Sequence, residues 1–240
     1  VMEVPRTFSD SCEIRLSLPS ATPTMQLQYQ ITGVEQDWAE DAWVTYIDPI
    51  QMKQEAMIHA RTLHDSGSSS SSVQHRLTQV NHGYVIRSIT SFDPQYAAGG
   101  EQALLDGITG GDQFQTGDWQ GYWGSDIVMD IDLGQIQDVS KVSVGALRDI
   151  RPWIFYPRGV SVEGSSDGVA WSPFGESSIK PSNENDTPER HWFDVEGKMR
   201  TQWLRVKIEN SGPLPEGHLG QGNPSWVFLD EVQIVASPVR

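Results

Sequence analysis

The feature that most constrains this chain is the stretch at residues 103–134, where a loop rich in Gly and Asp leads into an alternating run. Every second residue of that run is apolar, namely Ile127, Met129, Ile131 and Leu133. A period of two residues is typical of a β-strand that buries one face. The acidic residues of the loop favour a hard cation as the group that holds it. We therefore predict a metal-pinned loop followed by a long strand.

Alternating runs recur along the chain, whereas no segment shows a sustained helical period. The early runs are short, at residues 12–18, 25–31, 56–63 and 73–80, with turn-forming Pro and Ser at 19–24. About eight more runs follow after Asn81. The 240 residues are enough for two domains. We predict an all-β chain with a small antiparallel sandwich at residues 1–82 and a jelly-roll sandwich at residues 83–240.

The formal net charge of −15 disfavours nucleic acid and anionic membranes as partners, since both require clustered Lys and Arg. The charge is compatible with neutral sugars and divalent cations as ligands. The alternative explanation of the charge is an acidic surface that is only solvated. No run approaches the roughly 20 apolar residues of a membrane span, so we expect no membrane insertion. The lone Cys12 is expected to be a small buried hydrophobe. The start at Val1-Met2-Glu3 indicates a piece of a longer protein.

Five motifs follow one another in fixed order across residues 85–236. They are Ala103-Leu-Leu-Asp106-Gly107, Ile131-Asp-Leu-Gly134, Ser165-Ser-Asp-Gly168 with Trp171, Trp203-Leu-Arg205, and Asp230-Glu231-Val232. This combination resembles the discoidin, or coagulation factor 5/8 type C, domain, which bacterial enzymes carry as a carbohydrate-binding module of family 32. The resemblance implies a galactose-binding-like jelly roll. The form that the first motif and the residues before it take at residues 96–107 is similar to modules at the C-terminus of family 20 β-hexosaminidases.

The first domain carries a second resemblance. Its segments at residues 29–33, 46–50 and 57–61 resemble the immunoglobulin-like domain that follows the catalytic barrel of bacterial chitobiases and β-hexosaminidases. The sequence departs from that family at residues 33–37, where Gly-Val-Glu-Gln-Asp replaces the usual Tyr-Thr-Thr-Asp-Gly-Ser-Glu-Pro turn. The resemblance implies an Ig-like β-sandwich that acts as a spacer and has no active site.

The resemblance to the discoidin domain also implies a structural calcium ion. Its ligands would be Asp106 and Glu231, together with the backbone carbonyls of Ala103, Ile108, Gly111 and Asp230. Calcium takes about six to eight oxygen ligands, and a Gly-rich loop can turn several carbonyls inward. The alternative is that Asp106 only caps its own turn through backbone hydrogen bonds.

Sugar binding requires an aromatic face and hydrogen-bonding side chains on loops at one end of a sandwich. The loop at residues 148–156 concentrates cations and rings, and the loops at 118–123 and 217–226 add further candidates. The resemblance matches Trp119 to a core tryptophan, and Trp226 is also expected in the core. The predicted glycan-binding residues are Arg148, Asp149, Arg151, Trp153, Tyr156, Tyr122, Trp123 and Asn223.

Three patterns that suggest catalysis have better explanations. The Gly-x-Ser-x-Gly pattern at residues 164–168 lies between β-runs and lacks the helix of a nucleophile elbow. Asp230 and Glu231 resemble the catalytic pair of family 20, but strand alternation is expected to send them to opposite faces. The histidines show no zinc-ligand spacing. We expect no enzymatic activity in this chain.

Together, the resemblances imply a non-catalytic region of an exported bacterial β-N-acetylhexosaminidase, in the periplasm, on the cell surface or secreted. Its second domain would bind glycans that contain galactose or N-acetylhexosamine and hold the catalytic domain near its substrate. In the alternative, both domains are purely structural and pack on the catalytic barrel or a partner subunit.

Overall fold

The computed structural model describes residues 2–18, 24–34, 36–80, 82–179 and 187–238. The predicted turn at 19–24 lies outside these residues except for Thr24, and Asn81 also lies outside them. The chain divides into two compact units, Val1–His82 and Gly83–Arg240. Regular structure in the described residues is β apart from two short 3-10 turns, so the predicted all-β class is confirmed.

Two sheets form the first unit and share one core. Its strands are β1 (Met2–Glu3), β2 (Thr7–Phe8), β3 (Cys12–Leu16), β4 (Met25–Thr32), β5 (Val44–Thr45), β6 (Ile50–Met52), β7 (Ala56–His64) and β8 (Val73–Gln79). The sheet orders are β1-β3-β6 and β2-β8-β7-β4-β5, with only β2 and β8 parallel among the named strands. Ile14, Ile58 and Leu77 are fully buried between them, and Cys12 packs against this core.

Strand β4 differs from the predicted alternation. Leu27 and Tyr29 pack against the core as expected, but Ile31 is 40% exposed and Gln30 is only 5% exposed. The polar face of β4 is covered because the chain that follows the strand returns over it: the Gln30 amide bonds to Ala39. The sequence pattern is therefore right for Leu27 and Tyr29 but wrong for Met25 and Ile31, which are each 40% exposed.

The second unit contains one connected set of antiparallel strands. They are β9 (Val85–Ile89), β10 (Gln120–Trp123), β11 (Ile127–Arg148), β12 (Gly159–Ser165), β13 (Ser172–Ser178), β14 (Glu189–Glu209) and β15 (Trp226–Pro238). The 3-10 turns span Ala103–Leu105 and Phe114–Thr116. The order is β10-β15-β11-β14-β12-β13, and β9 also pairs with β11.

The long strands β11 and β14 change neighbours along their length. The first part of β11 pairs with β9 and β14, and its second part pairs with β14 and β15. The change occurs where the register shifts between Asp132 and Gln137, around Gly134 with its positive φ of 77°. The predicted separate runs at 127–133 and 139–146 are therefore one bent strand.

The alternation predicted for β11 is confirmed at residues 127–131, whereas Asp132, expected to face outward, is buried. Ile127, Met129 and Ile131 are fully buried, while Val128 is 39% exposed. Each such side chain contributes about 1.5–3 kcal/mol when it leaves water. They join a core built from the inward faces of β11, β12, β14 and β15. This core anchors the strands whose ends and connecting loops carry the candidate sites.

Candidate functional site

The acidic loop, residues 103–111, lies against the last strand of the second unit. Ala103, Leu104 and Leu105 form the first 3-10 turn and are all buried, which anchors the start of the loop. Asp106 follows, and its Oδ1 accepts a hydrogen bond of 2.8 Å from the Ile108 amide. Asp106 therefore caps its own turn, as in the alternative interpretation of its role.

A β-bulge in β15 turns two neighbouring carboxylates toward this loop. Val144 pairs with Val232 and Ala146 with Leu229, so Gly145 alone opposes both Asp230 and Glu231. Two residues facing one is the arrangement of a bulge, which interrupts strict alternation. The Gly107 amide donates to Glu231 Oε2 at 3.1 Å, and the Gly110 amide donates to Asp230 Oδ2 at 2.8 Å.

The prediction that Asp230 and Glu231 point to opposite faces is therefore wrong. The bulge also explains Gly145, because a Cβ there would overlap Asp230 Oδ1 and lie 2.5 Å from Arg190 Nη2. Arg190 pairs with the Asp230 carboxylate, with Nη2 and Oδ1 3.1 Å apart. The Asp230 carboxylate thus binds both Arg190 and the Gly110 amide.

Glu231 is in a different electrostatic position. It is 3% exposed, and burial is the largest cause that raises its pKa, to about 9, with the Asp106 carboxylate adding in the same direction. The Gly107 hydrogen bond opposes this shift only in part. Burial likewise raises the pKa of Asp230, against the effect of Arg190. Desolvation and like charge both disfavour an ionised Glu231, and a bound cation would reverse both effects.

The described residues contain no group of three or more His, Cys, Asp or Glu side chains placed to hold a metal. A cation at Asp106 and Glu231 would therefore need backbone carbonyls as further ligands. Of the predicted carbonyl donors, Ala103 is buried in the 3-10 turn, Ile108 is half-buried and Gly111 is exposed. The donor types fit calcium, which accepts carboxylate and carbonyl oxygens.

Three tryptophans from separate segments meet at one end of the second unit, and we call them the tryptophan cluster (Trp123, Trp153 and Trp226). Trp123 ends β10 and pairs with Trp226 at the start of β15, with ring centroids 4.8 Å apart. Trp153 stacks on Trp123 at 6.1 Å and an interplanar angle of 23°. Trp123 is 40% exposed and the other two tryptophans are half-buried, so the cluster reaches the surface.

Backbone hydrogen bonds fix the position of Trp153. The Asp149 amide bonds to the Ile154 carbonyl at 3.0 Å, and the reciprocal bond is 2.9 Å, which closes a tight hairpin. The Trp226 amide then donates to the Trp153 carbonyl at 2.9 Å. Trp153 has a φ of 72°, an unusual conformation for a bulky residue, which surrounding contacts must enforce.

The loop at residues 213–224 supports the other side of Trp153. A Cβ at Gly220 would lie 2.7 Å from the Trp153 ring, so only glycine allows this close approach. His218 Nδ1 accepts the Gly220 amide at 3.0 Å, which leaves the ring proton on Nε2, 3.0 Å from the Ile150 carbonyl. Asn223 is exposed, and its side-chain NH2 group donates to the Gly220 carbonyl at 2.9 Å.

Comparison with known protein families shows which family the chain belongs to. The F5/8 type C domain matches residues 86–219, more than half of the 240 residues. The chain belongs to the F5/8 type C family. A comparison with curated proteins found no significant match.

Several solved structures are similar to the chain. A putative chitobiase fragment from Bacteroides thetaiotaomicron has 14% identity and a TM-score of 0.43, covering 66% of this chain and 91% of its own. A family 32 module of NanJ from Clostridium perfringens, solved with galactose, has 12% identity and a TM-score of 0.38, covering 64% and 93%. A SusE-like protein has 14% identity and a TM-score of 0.36, covering 99% and 97%.

Two predicted glycan-binding residues of the F5/8 type C domain lie in its interior, which corrects the sequence interpretation. Tyr122 is fully buried, burial raises its pKa, and its hydroxyl donates to Gln120 Oε1 at 2.6 Å. Arg148 is 6% exposed, with Nη2 3.2 Å from Glu189 Oε2 and the guanidinium over the Tyr156 ring. Neither presents its polar group on the surface.

Tyr156 faces β14 and lies in a different group of rings from Phe155. Its ring contacts His191 and Phe193, and its hydroxyl donates to the Glu189 carbonyl at 2.9 Å. Burial raises the pKa of Tyr156 to about 12, with the Glu189 carboxylate acting in the same direction. Tyr156 thus takes part in packing against the core.

The remaining predicted residues of the F5/8 type C domain are at or near the surface. Trp123 and Asn223 are exposed, Arg151 is exposed, and Asp149 and Trp153 are half-buried. Burial raises the pKa of Asp149, and Arg151 opposes that shift. Trp119 is 1% exposed, which confirms its core role, and it packs directly against Gly110.

Trp226 was expected in the core but is half-buried and joins the tryptophan cluster. Sequence reasoning also missed the supporting roles of His218 and Gly220. Their signal was the Gly-rich composition of residues 217–222, which allows close backbone approach but does not identify the ring that approaches. The described residues contain no helix long and apolar enough to cross a bilayer.

Proposed function

We propose that the F5/8 type C domain binds neutral glycans at the tryptophan cluster. The observation that carries this proposal is that Trp123, Trp153 and Trp226 converge from three segments into one cluster that reaches the surface. An indole face packs against the apolar face of a pyranose ring. Asn223 and Arg151, both exposed and within three residues of Trp226 and Trp153 in sequence, would supply hydrogen-bonding groups. The net charge of −15 disfavours anionic glycans.

The ligand class proposed is a glycan containing galactose or N-acetylhexosamine. A surface of aromatic rings buries little of a sugar, so a single site is expected to bind weakly, with a dissociation constant on the order of 1 mM, about −4 kcal/mol. Calorimetric titration of the whole chain with N-acetyllactosamine and with N-acetylated chitotetraose tests this. Saturable binding that Trp123→Ala weakens at least tenfold supports the proposal, and no heat with either glycan contradicts it.

A calcium ion at the acidic loop belongs to the same proposal, as a structural ligand. Asp106 and Glu231 would hold it together with carbonyls of the loop. The raised pKa of the buried Glu231 is the observation that favours a cation here, because positive charge would stabilise the ionised carboxylate. When bound, calcium would fix the loop to β15 and so support the neighbouring end of the sandwich.

At the level of the longer protein, we propose that this chain is a non-catalytic accessory region of an exported bacterial β-N-acetylhexosaminidase, a glycoside hydrolase. Asp230 and Glu231 bind loop amides instead of lining an open cleft, which supports a structural role for both. Holding the catalytic domain at a glycan surface raises its effective concentration there. The first unit would serve as its Ig-like spacer.

A purely structural role is the alternative, in which the tryptophan cluster packs on a catalytic barrel or a partner subunit. The two functions differ in the accessibility of Trp123 in the longer protein. Quenching of Trp fluorescence by acrylamide, compared between the longer protein and its Trp123→Phe variant, measures that accessibility. A protected Trp123 together with no glycan binding would favour the structural role.

A further inference from the structure

The first unit carries an aromatic surface that its expected role as a spacer does not explain. The segment at residues 36–43, which we call the Trp38 loop, returns over the polar face of β4 and β7. On that face Gln28 is paired with Arg61 and Gln30 with His59. A loop on a polar face gains little from apolar burial, so other contacts must hold it.

The first of these contacts is an amide clamp. The Gln30 side chain donates to the Ala39 carbonyl at 2.5 Å and accepts from the Ala39 amide at 3.0 Å. Gln30 is only 5% exposed, so both bonds form away from solvent. A buried amide with both groups satisfied fixes the middle of the loop in one position.

The second contact is a stack on Arg61. Its guanidinium lies over the Trp43 ring, 4.2 Å from the ring centroid. Nη1 pairs with Glu40 Oε1 at 2.8 Å, and Nε donates to Gln28 Oε1 at 2.9 Å. The Arg61 side chain is 12% exposed, while that of Glu40 is 72% exposed. Three contacts therefore fix the Arg61 side chain, and its ion pair orients the carboxylate of Glu40.

Trp38 is the outermost ring of this arrangement. Its centroid is 5.7 Å from that of Trp43, with an interplanar angle of 55°, and the residue is 41% exposed. Three exposed acidic residues share the loop, namely Asp37, Glu40 and Asp41. A large exposed ring on a loop held in one position offers an aromatic face to a ligand.

We propose that the Trp38 loop is a second saccharide-binding surface, separate from the tryptophan cluster. The open side of Trp38 would pack against the apolar face of a neutral pyranose. The carboxylates of Asp37, Glu40 and Asp41 are acceptors for sugar hydroxyl groups. Three acidic side chains against one Arg61 give the loop an excess of two negative charges, which disfavours uronic acids and other anionic glycans.

A cationic ligand is the main competing occupant, because acidic residues and tryptophans also bind organic ammonium groups. Arg61 already occupies a face of Trp43. The two rings therefore do not form an open cage around a ligand cation. This favours an uncharged ligand that needs only one free aromatic face.

The test separates this surface from the tryptophan cluster by working in a Trp123→Ala background. The whole chain carrying that substitution is applied to an array of immobilised neutral oligosaccharides of glucose, galactose, mannose and N-acetylhexosamines. We expect residual binding to a subset of these glycans, and a reduction of at least tenfold when Trp38→Ala is added. Ile47→Ala, at a residue 81% exposed in the same unit, is the matched control and should change nothing.

Three results would overturn the proposal: no residual binding in the Trp123→Ala chain, residual binding unchanged by Trp38→Ala, or competition by tetramethylammonium at millimolar concentration. The indole N–H signal of Trp38 in a nitrogen–proton NMR spectrum gives an independent readout. It should shift on addition of the glycan that the array identifies, both in the unsubstituted chain and in Trp123→Ala. If the tryptophan cluster binds no glycan, the expected shift of the Trp38 signal stays the same. The proposal for the tryptophan cluster and the proposal for the Trp38 loop can therefore be contradicted independently.

Discussion

The Gly107 amide donates to Glu231 Oε2 at 3.1 Å, across 124 positions of sequence. This bond ties the acidic loop to the last strand, at a carboxylate that is 3% exposed. A neutral Glu231 can accept it, but an ionised Glu231 beside Asp106 needs a cation. The stability of the second unit should therefore depend on calcium.

We expect calcium to raise the melting temperature of the chain and a chelator to lower it. A ligand present at about 100 times its dissociation constant stabilises the native state by about 2.7 kcal/mol. Glu231→Gln keeps an acceptor for the Gly107 amide but removes the charge, so the calcium-dependent shift should disappear. Glu196→Gln, at an exposed position of β14, is the control. Equal calcium shifts in Glu231→Gln and the unsubstituted chain would exclude this site.

The pH dependence without metal follows from the same group. The folded pKa of Glu231, about 9, is above its ordinary value of 4.5, so folding favours the protonated form. In chelator, the contribution of Glu231 to stability should be largest below about pH 4.5 and should decrease as the pH rises toward 9. The raised pKa of Asp230 acts in the same direction. Urea unfolding at several pH values measures this, and Glu231→Gln should show a shallower slope.

The fold class could be predicted from sequence because several strands alternate over part of their length. Ile127, Met129 and Ile131 are buried as that pattern requires. The bulge at Asp230 and Glu231 could not be predicted, since one unpaired residue changes the face of a side chain without changing composition. Tyr122 and Trp123 look equivalent in sequence, yet one is in the core and the other on the surface.

The candidate sites were harder to predict because they depend on contacts between distant segments. Trp153 and Trp226 meet through a backbone bond that local sequence does not encode. In the first unit, the family resemblance implied a spacer, and the polar residue Gln30 gave no indication that it would bind the Trp38 loop. From the sequence, Gln30 was expected to be exposed and Ile31 to be buried. The structure shows the reverse: the Trp38 loop covers the face of β4 that carries Gln30, whereas Ile31 is exposed.

Gly220→Ala should reduce glycan binding without removing any side chain of the tryptophan cluster. Its new Cβ would lie 2.7 Å from the rigid Trp153 ring, so the ring must leave its observed stacked position on Trp123. We expect binding to fall at least tenfold with a stability loss of about 1–3 kcal/mol. Gly83→Ala, where a Cβ meets nothing within 4 Å, is the matched control. Unchanged glycan affinity in Gly220→Ala would show that Trp153 does not need its observed position.

Gly145→Ala tests the bulge itself. The added Cβ would overlap Asp230 Oδ1 and lie 2.5 Å from Arg190 Nη2, so either the ion pair or the strand must shift. Because Asp230 is 1% exposed, separating it from Arg190 leaves a buried charge without its compensation, which typically costs about 3–5 kcal/mol. We expect a loss of that order in urea unfolding, again relative to Gly83→Ala. Asp230→Asn combined with Gly145→Ala should cost less than the sum of the two single changes, because the substitutions disturb one shared contact. Strict additivity would mean that the carboxylate and the glycine are not coupled through the bulge.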